Sequence, residues 1–169
     1  MWIDVVIPYA PDGDLAEAYN RALRQGKSEW VLFLDHDIFL ATNPRWYEMC
    51  VKVIQELKDP NAAAIGCMEG GRVQHNESQV IDHHILRARR LYKRFGTELE
   101  RRDKHVIGYF MLLRREVAKE IGFRKQNNGI NNIDIDFGTR LLNEGYTIYR
   151  MRGLYVYHRR GTKHLKKQF

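Results

Sequence analysis

Trp30-Val31-Leu32-Phe33-Leu34-Asp35-His36-Asp37 is an uninterrupted apolar run that ends in two aspartates one residue apart. Five consecutive large apolar residues fit a strand covered on both faces, as in the interior of an α/β sheet. In extended chain, residues i and i+2 point to the same side, so Asp35 and Asp37 can converge where the strand ends. Open α/β sheets bind ligands beyond the carboxyl ends of their strands. Two converging carboxylates repel each other unless a hard cation sits between them, and oxygen donors suit Mg²⁺ or Mn²⁺. Such a cation could hold a diphosphate. For an isolated Asp-x-Asp the plain alternative is an exposed turn.

The pattern on either side agrees. Ile3 to Pro8 reads as a strand stopped by proline. Asp14-Leu15-Ala16-Glu17 has the form of a helix N-cap with an acidic partner, and Gly26 is placed to end that helix. Asn43-Pro44 starts a helix whose apolar face is Trp46, Cys50, Val53, Ile54 and Leu57, with Asp59-Pro60 as its break. Ala62 to Cys67 is the next strand. Residues 68–105 are the least regular; Ile85, Ala88, Leu91, Tyr92 and Phe95 mark one amphipathic helix, with Arg87, Arg89, Arg90, Lys93 and Arg94 opposite. Val106 to Leu113 reads as a strand, Arg115 to Ile121 as a helix, and Arg124 to Asn132 as a polar loop. A helix over Phe137 to Glu144 and strands at Thr147 to Arg150 and Leu154 to Tyr157 follow. The alternation predicts an α/β fold, a mixed sheet flanked by helices, with residues 1–169 as a single domain.

A chain of 169 residues with 44% hydrophobic residues supports a packed core. No apolar stretch is long enough for a membrane span, and the start reads as a strand rather than a signal peptide. Cys50 and Cys67 give neither a disulfide framework nor zinc spacing; both read as buried thiols, which suits a reducing, cytoplasmic setting. The net charge of +7 suits nucleotide phosphates, nucleic acid or acidic lipid alike.

Two further groups are candidates for chemistry. Asp134-Ile135-Asp136 stands before the Phe137 helix, where one aspartate fits an N-cap and the other a general base. His158 ends the run Leu154-Tyr155-Val156-Tyr157 and is a candidate third metal ligand. Arg159, Arg160 and Lys163 surround Gly161 and could close on a diphosphate.

In this order the pieces resemble the family 2 glycosyltransferases of the GT-A fold. Val5-Val6-Ile7-Pro8-Tyr9 resembles that family's first strand, and Ala18-Tyr19-Asn20-Arg21 its Ala-Arg-Asn segment. Ser28 to Asp37 is similar to its strand and metal motif. Gly108 to Val117 with Gly122-Phe123 resembles its acceptor-side strand and helix. Asp134-Ile135-Asp136-Phe137 with Arg140-Leu141 and Gly145-Tyr146 matches its Glu-Asp-x-Asp-Leu region, and Val156-Tyr157-His158 its terminal histidine. The resemblance implies a compact, Rossmann-like GT-A domain. It would move a sugar from a nucleotide-diphosphate sugar, a UDP-sugar, to a hydroxyl acceptor with inversion. Pro8, Tyr9, Ala10, Asn20, Asp35 and His36 would bind the donor nucleotide. Asp35, Asp37 and His158 would hold Mn²⁺ or Mg²⁺, Gly108 and Tyr109 would line the sugar pocket, and Asp134 would be the base, with Asp136 as the alternate.

The chain departs from that pattern in three places. Ile133 stands where the family has glutamate, and Tyr19 where it has arginine. The strand and helix the family inserts before the Trp30 strand, with an acidic residue that reads the base, are missing; Asp12 or Asp14 could take that residue's place. Two other functions use the same features. A non-catalytic nucleotide or nucleic-acid binding module would use the Arg87–Arg94 helix, yet no helix-turn-helix, zinc or RNA-stacking signature accompanies it, so no nucleic-acid partner is expected. A phosphoryl hydrolase would need a second dense ligand cluster.

Overall fold

The computed structural model describes residues 2–70, 77–105, 108–126 and 132–158. In chain order the elements are β1 (Ile3–Val6), α1 (Leu15–Gln25), β2 (Trp30–Leu34), β3 (Ile38–Phe39), a 3₁₀ turn (Leu40–Thr42), α2 (Trp46–Glu56), β4 (Ala62–Gly70), α3 (Glu77–Phe95), β5 (Leu99–Arg102), β6 (Phe110–Arg114), α4 (Arg115–Ile121), α5 (Ile133–Asn143) and β7 (Thr147–His158). The strands form one sheet in the order β1-β2-β6-β4-β7-β3, and β5 pairs with β7. β1, β2, β4 and β7 run parallel, with β6 antiparallel between β2 and β4. The carboxyl ends of those four strands and the start of β6 therefore meet at one edge, where Asp35, Asp37, Asp134 and His158 lie.

β2 is buried along its whole length, as its unbroken apolar run requires. Its alternate side chains feed two cores. Trp30, Leu32 and Leu34 pack with Cys50 and Val53 of α2. Val31 and Phe33 pack with α1, α4 and α5 through Leu23, Ala118 and Leu141. In the second core Tyr19 stacks on Phe123 at 4.4 Å and Phe123 on Phe137 at 4.2 Å. Such ring pairs add about 0.5–1.5 kcal/mol beyond the area they bury.

The first helix starts as its sequence predicts, with Asp14 Oδ1 accepting from the Glu17 N–H at 3.1 Å. It ends at Gly26 for a different reason than a left-handed cap. Gly26 has φ −74°, and a Cβ there would collide with the Arg115 guanidinium. That buried arginine donates to the carbonyls of Ser28 (2.6 Å), Leu23 (3.0 Å) and Ala22 (3.2 Å) and pairs with Asp4.

Several boundaries differ from the sequence reading. α2 begins at Trp46, because Asn43 first closes a local turn by accepting from the Arg45 N–H. β4 runs on to Gly70 and α3 is 19 residues long. β5, hidden among charged residues, is held to β7 by Glu100, which pairs with Arg150 at 2.6 Å. α5 begins at Ile133, four residues before the expected start, so Asp134 and Asp136 lie within its first turn. The two expected late strands are one strand, β7, which steps past β4 where Cys67 faces Met151 but Met68 faces Tyr155. Among the described residues no helix is long and apolar enough to cross a membrane. Cys50 and Cys67 are buried and free, and burial pushes the Cys50 thiol up to about 12.

Candidate metal and sugar-transfer site

β2 delivers Asp35 and the turn after it delivers Asp37. β3 then pairs with the end of β7, Ile38 opposite His158, which brings the histidine to the same place. One donor atom from each of Asp35, Asp37 and His158 lies within 4.8 Å of the others. His158 Nε2 is 3.1 Å from Asp37 Oδ1 and 3.7 Å from Asp35 Oδ2. The sequence named these three as metal ligands, and the fold brings them together. His36, between the two aspartates, is exposed.

This donor set fits a hard divalent cation: two carboxylates supply charge and an imidazole nitrogen faces them. Burial lifts the Asp35 carboxyl above its ordinary value, and Asp37 and Asp134 add to the effect while His158 opposes it. The His158 imidazole is raised, first by its hydrogen bond to Glu69, with Asp37 and Asp35 adding to it against burial.

Glu69 escaped the sequence reading. Its Oε1 lies 3.1 Å from His158 Nδ1, on the far side of the ring from the aspartates. The apolar run ends at Cys67, and the slip between β4 and β7 that brings Glu69 to His158 has no local pattern in the sequence.

Next to this group, Asp134 Oδ2 accepts a 2.8 Å hydrogen bond from the Gly108 N–H. A Cβ on Gly108 would lie 3.2 Å from that oxygen. Asp134 is near enough for its charge to help raise the Asp35 carboxyl. The following residue, Tyr109, ties the two halves together. Its carbonyl accepts from the Asp35 N–H at 3.1 Å, and its ring lies 5.3 Å from that of His158.

Other expected residues have different surroundings. Tyr109 is buried and its hydroxyl donates to the Cys67 carbonyl at 3.2 Å, so it backs His158 rather than offering a hydroxyl to a sugar. Asn20 is bound in both directions to the Phe123 backbone, at 2.9 and 2.8 Å. Its amide joins α1 to the segment after α4 and is not available to a nucleotide. Neither aspartate of the second pair is the N-cap of α5; that position is Asn132. Asp136 accepts from Arg140 Nε and Nη2 at 2.9 and 2.8 Å, one turn along the helix. Asp14 caps α1 and pairs with Lys125 at 3.4 Å. Pro8 and Ala10 are partly buried and Tyr9 is exposed, on the stretch after β1. Arg159, Arg160 and Lys163 lie outside the described residues.

The fold has counterparts among solved structures. The crystal structure of S. aureus TarS 1-349 in complex with UDP-GlcNAc is similar over 90% of this chain and 41% of its own, with a TM-score of 0.55 and 17% identity. The crystal structure of a mycobacterial protein is similar over 93% of this chain and 47% of its own, also with a TM-score of 0.55 and 17% identity. These likenesses show the fold, and the chain spans less than half the length of either. No individually curated protein matches. The profile of glycosyl transferase family 2 matches residues 6–122, from the end of β1 through the end of α4. That stretch is more than half of the chain and contains the Asp35–Asp37 motif, so the chain belongs to glycosyl transferase family 2.

Proposed function

We propose that this chain carries a glycosyltransferase domain. It moves a sugar from a nucleotide-diphosphate sugar, a UDP-sugar, to a hydroxyl acceptor with inversion, and depends on Mn²⁺ or Mg²⁺. The observation that carries the reading is the placement of Asp35, Asp37 and His158 beside Asp134 at one sheet edge. Family membership supports the reaction class, and the UDP-GlcNAc bound to TarS supports the donor class.

Asp35, Asp37 and His158 would hold the cation. When bound, it would supply positive charge against the diphosphate oxygens, where charge builds as the sugar leaves. The imidazole in the donor set favours Mn²⁺ over Mg²⁺.

Asp134 is the base in this reading and Asp136 is not. Among the described residues Asp134 Oδ1 has no hydrogen-bond partner, while Gly108 holds Oδ2; Asp136 is engaged by Arg140. The acceptor oxygen attacks the anomeric carbon as the bond to the diphosphate oxygen breaks on the opposite face. The acceptor proton passes to Asp134, and the electron pair of the broken bond leaves with the diphosphate. Pro8, Tyr9 and Ala10 lie after β1, where the nucleotide would rest.

Calorimetric titration of UDP with and without Mn²⁺, together with transfer assays over a panel of UDP-sugars, tests this directly. Mn²⁺-dependent UDP binding that Asp37→Ala abolishes is expected. UDP binding that ignores both the metal and that substitution would overturn the reading.

A further inference from the structure

We propose that Glu69 is a positioning residue for the metal centre. It accepts a hydrogen bond from His158 Nδ1–H and so fixes the tautomer whose Nε2 lone pair faces Asp35 and Asp37. The inference rests on the metal reading above.

A neutral imidazole carries one proton, on either nitrogen. With the proton on Nε2, His158 would aim a donor at the place a cation needs. A carboxylate can only accept, so Glu69 at 3.1 Å from Nδ1 requires the proton on that side. In the neutral ring Nε2 is then the lone pair, 3.1 Å from Asp37 and 3.7 Å from Asp35, and a cation between them would replace the proton that those carboxylates otherwise draw to Nε2. Metal-bound histidines commonly show this arrangement, with the outer carboxylate setting the orientation and basicity of the ring.

The fold goes out of its way to make the contact. Up to Cys67, β4 and β7 advance together, with Gly66 opposite Arg150 and Cys67 opposite Met151. In that register Glu69 would lie opposite Gly153, far short of His158. The step between Cys67 and Met68 moves β7 ahead, and Glu69 comes to lie opposite Val156. Gly153 within the step lies against the Gly96 backbone, where a Cβ has no room. Both side chains are then shielded, 13% exposed for His158 and 15% for Glu69, and the Tyr109 ring limits rotation of the imidazole.

Glu69→Gln keeps the shape and removes the selection, because an amide can donate or accept. Glu69→Asp keeps the charge and withdraws it by one methylene. Mn²⁺ affinity is measured by calorimetry for wild type, both variants, His158→Ala and Asp37→Ala. The His158 tautomer is read by ¹⁵N NMR in the metal-free protein, and melting temperatures show that each variant is folded. Both Glu69 variants are expected to bind Mn²⁺ about 10–100-fold more weakly, and Glu69→Gln to lose the full occupancy of the Nδ1 proton that wild type keeps. If Glu69→Gln binds Mn²⁺ like wild type while Asp37→Ala and His158→Ala do not bind, Glu69 has no such role and the metal reading stands. If wild type does not bind, or Asp37→Ala binds equally well, the metal reading fails and takes this inference with it.

Discussion

The Gly108 N–H donates to Asp134 Oδ2 at 2.8 Å, and no side chain can be added at Gly108 without pressing on that carboxylate. The bond places Asp134, on the first turn of α5, against the start of β6 and beside Asp35. Gly108→Ala is therefore expected to push Asp134 by a few tenths of an ångström or more. Misplacement on that scale costs roughly 10–100-fold in turnover, with little change in UDP binding. Steady-state kinetics beside UDP titration check the split; unchanged turnover would show that Asp134 need not be held here.

Asp134 and Asp136 are two residues apart and should respond differently. Arg140 joins Asp136 to the Gly122 carbonyl at 2.6 Å and to that of Ile121. Asp136→Ala is expected to cost about 1.5–3 kcal/mol of stability through the lost charged hydrogen bonds. Asp134→Asn should leave the unfolding free energy within about 0.5 kcal/mol and lower turnover by roughly 10²–10⁴. Denaturant melts and transfer assays on the pair settle it. A reversed pattern, with Asp136 governing turnover, would exchange the two assignments.

Arg115 is buried and serves four partners: Asp4 and the carbonyls of Ser28, Ala22 and Leu23. It fastens the end of α1 and the start of β1 to α4. Arg115→Ala leaves those acceptors without a donor and should cost about 3–5 kcal/mol. In a protein of this size that lowers the melting temperature by roughly 6–20 °C. Lysine cannot reproduce the forked contact, so Arg115→Lys should recover less than half of the loss.

The metal-free protein should carry two opposite pH dependences. His158 has a folded value raised above its ordinary 6.5, chiefly by Glu69. Its contribution is complete below pH 6.5 and disappears as pH rises through the folded value. Glu100 is held below its ordinary 4.5, chiefly by Arg150. Its contribution is present above pH 4.5 and lost as pH falls through the folded value. Stability curves for His158→Gln should lack the alkaline loss and keep the acid one. An unchanged alkaline loss in that variant would assign it to another group.

The sequence exposed the parts of this site that local pattern controls. An apolar run with an Asp-x-Asp end can be read residue by residue, and β2 with Asp35 and Asp37 matches it. His158 was legible because Leu154 to Tyr157 alternates into it. Glu69 was not, because its role depends on the slip between β4 and β7, which is a property of two strands and their neighbours. β5 was hidden for a related reason: Leu-Glu-Arg-Arg has no strand signature until Arg150 stands across from Glu100, with Arg152 paired to Glu98 just before the strand. Asn20 misled because a polar side chain in a family segment gave no sign that the Phe123 backbone would occupy it. Gly26 was read as the end of a helix for its backbone freedom, when the space is taken by an arginine 89 residues further along the chain.

Gly153 tests how far the metal centre depends on that strand slip. Its Cα faces the backbone of Gly96, itself in a left-handed conformation at φ 51°. Gly153→Ala must move either the turn after α3 or β7 itself. Overpacking of this kind costs about 1–3 kcal/mol, or roughly 2–12 °C in melting temperature. If β7 is what moves, Glu69 loses its place opposite Val156, and Mn²⁺ affinity should fall along with stability. Arg152→Ala, at the neighbouring position, removes the Glu98 pair and the contact with the Phe95 ring and should lower stability without touching Mn²⁺ affinity. A Gly153→Ala protein that melts early yet binds Mn²⁺ like wild type would mean that the turn after α3 yields, and that β7 keeps its register with β4 without help from Gly96.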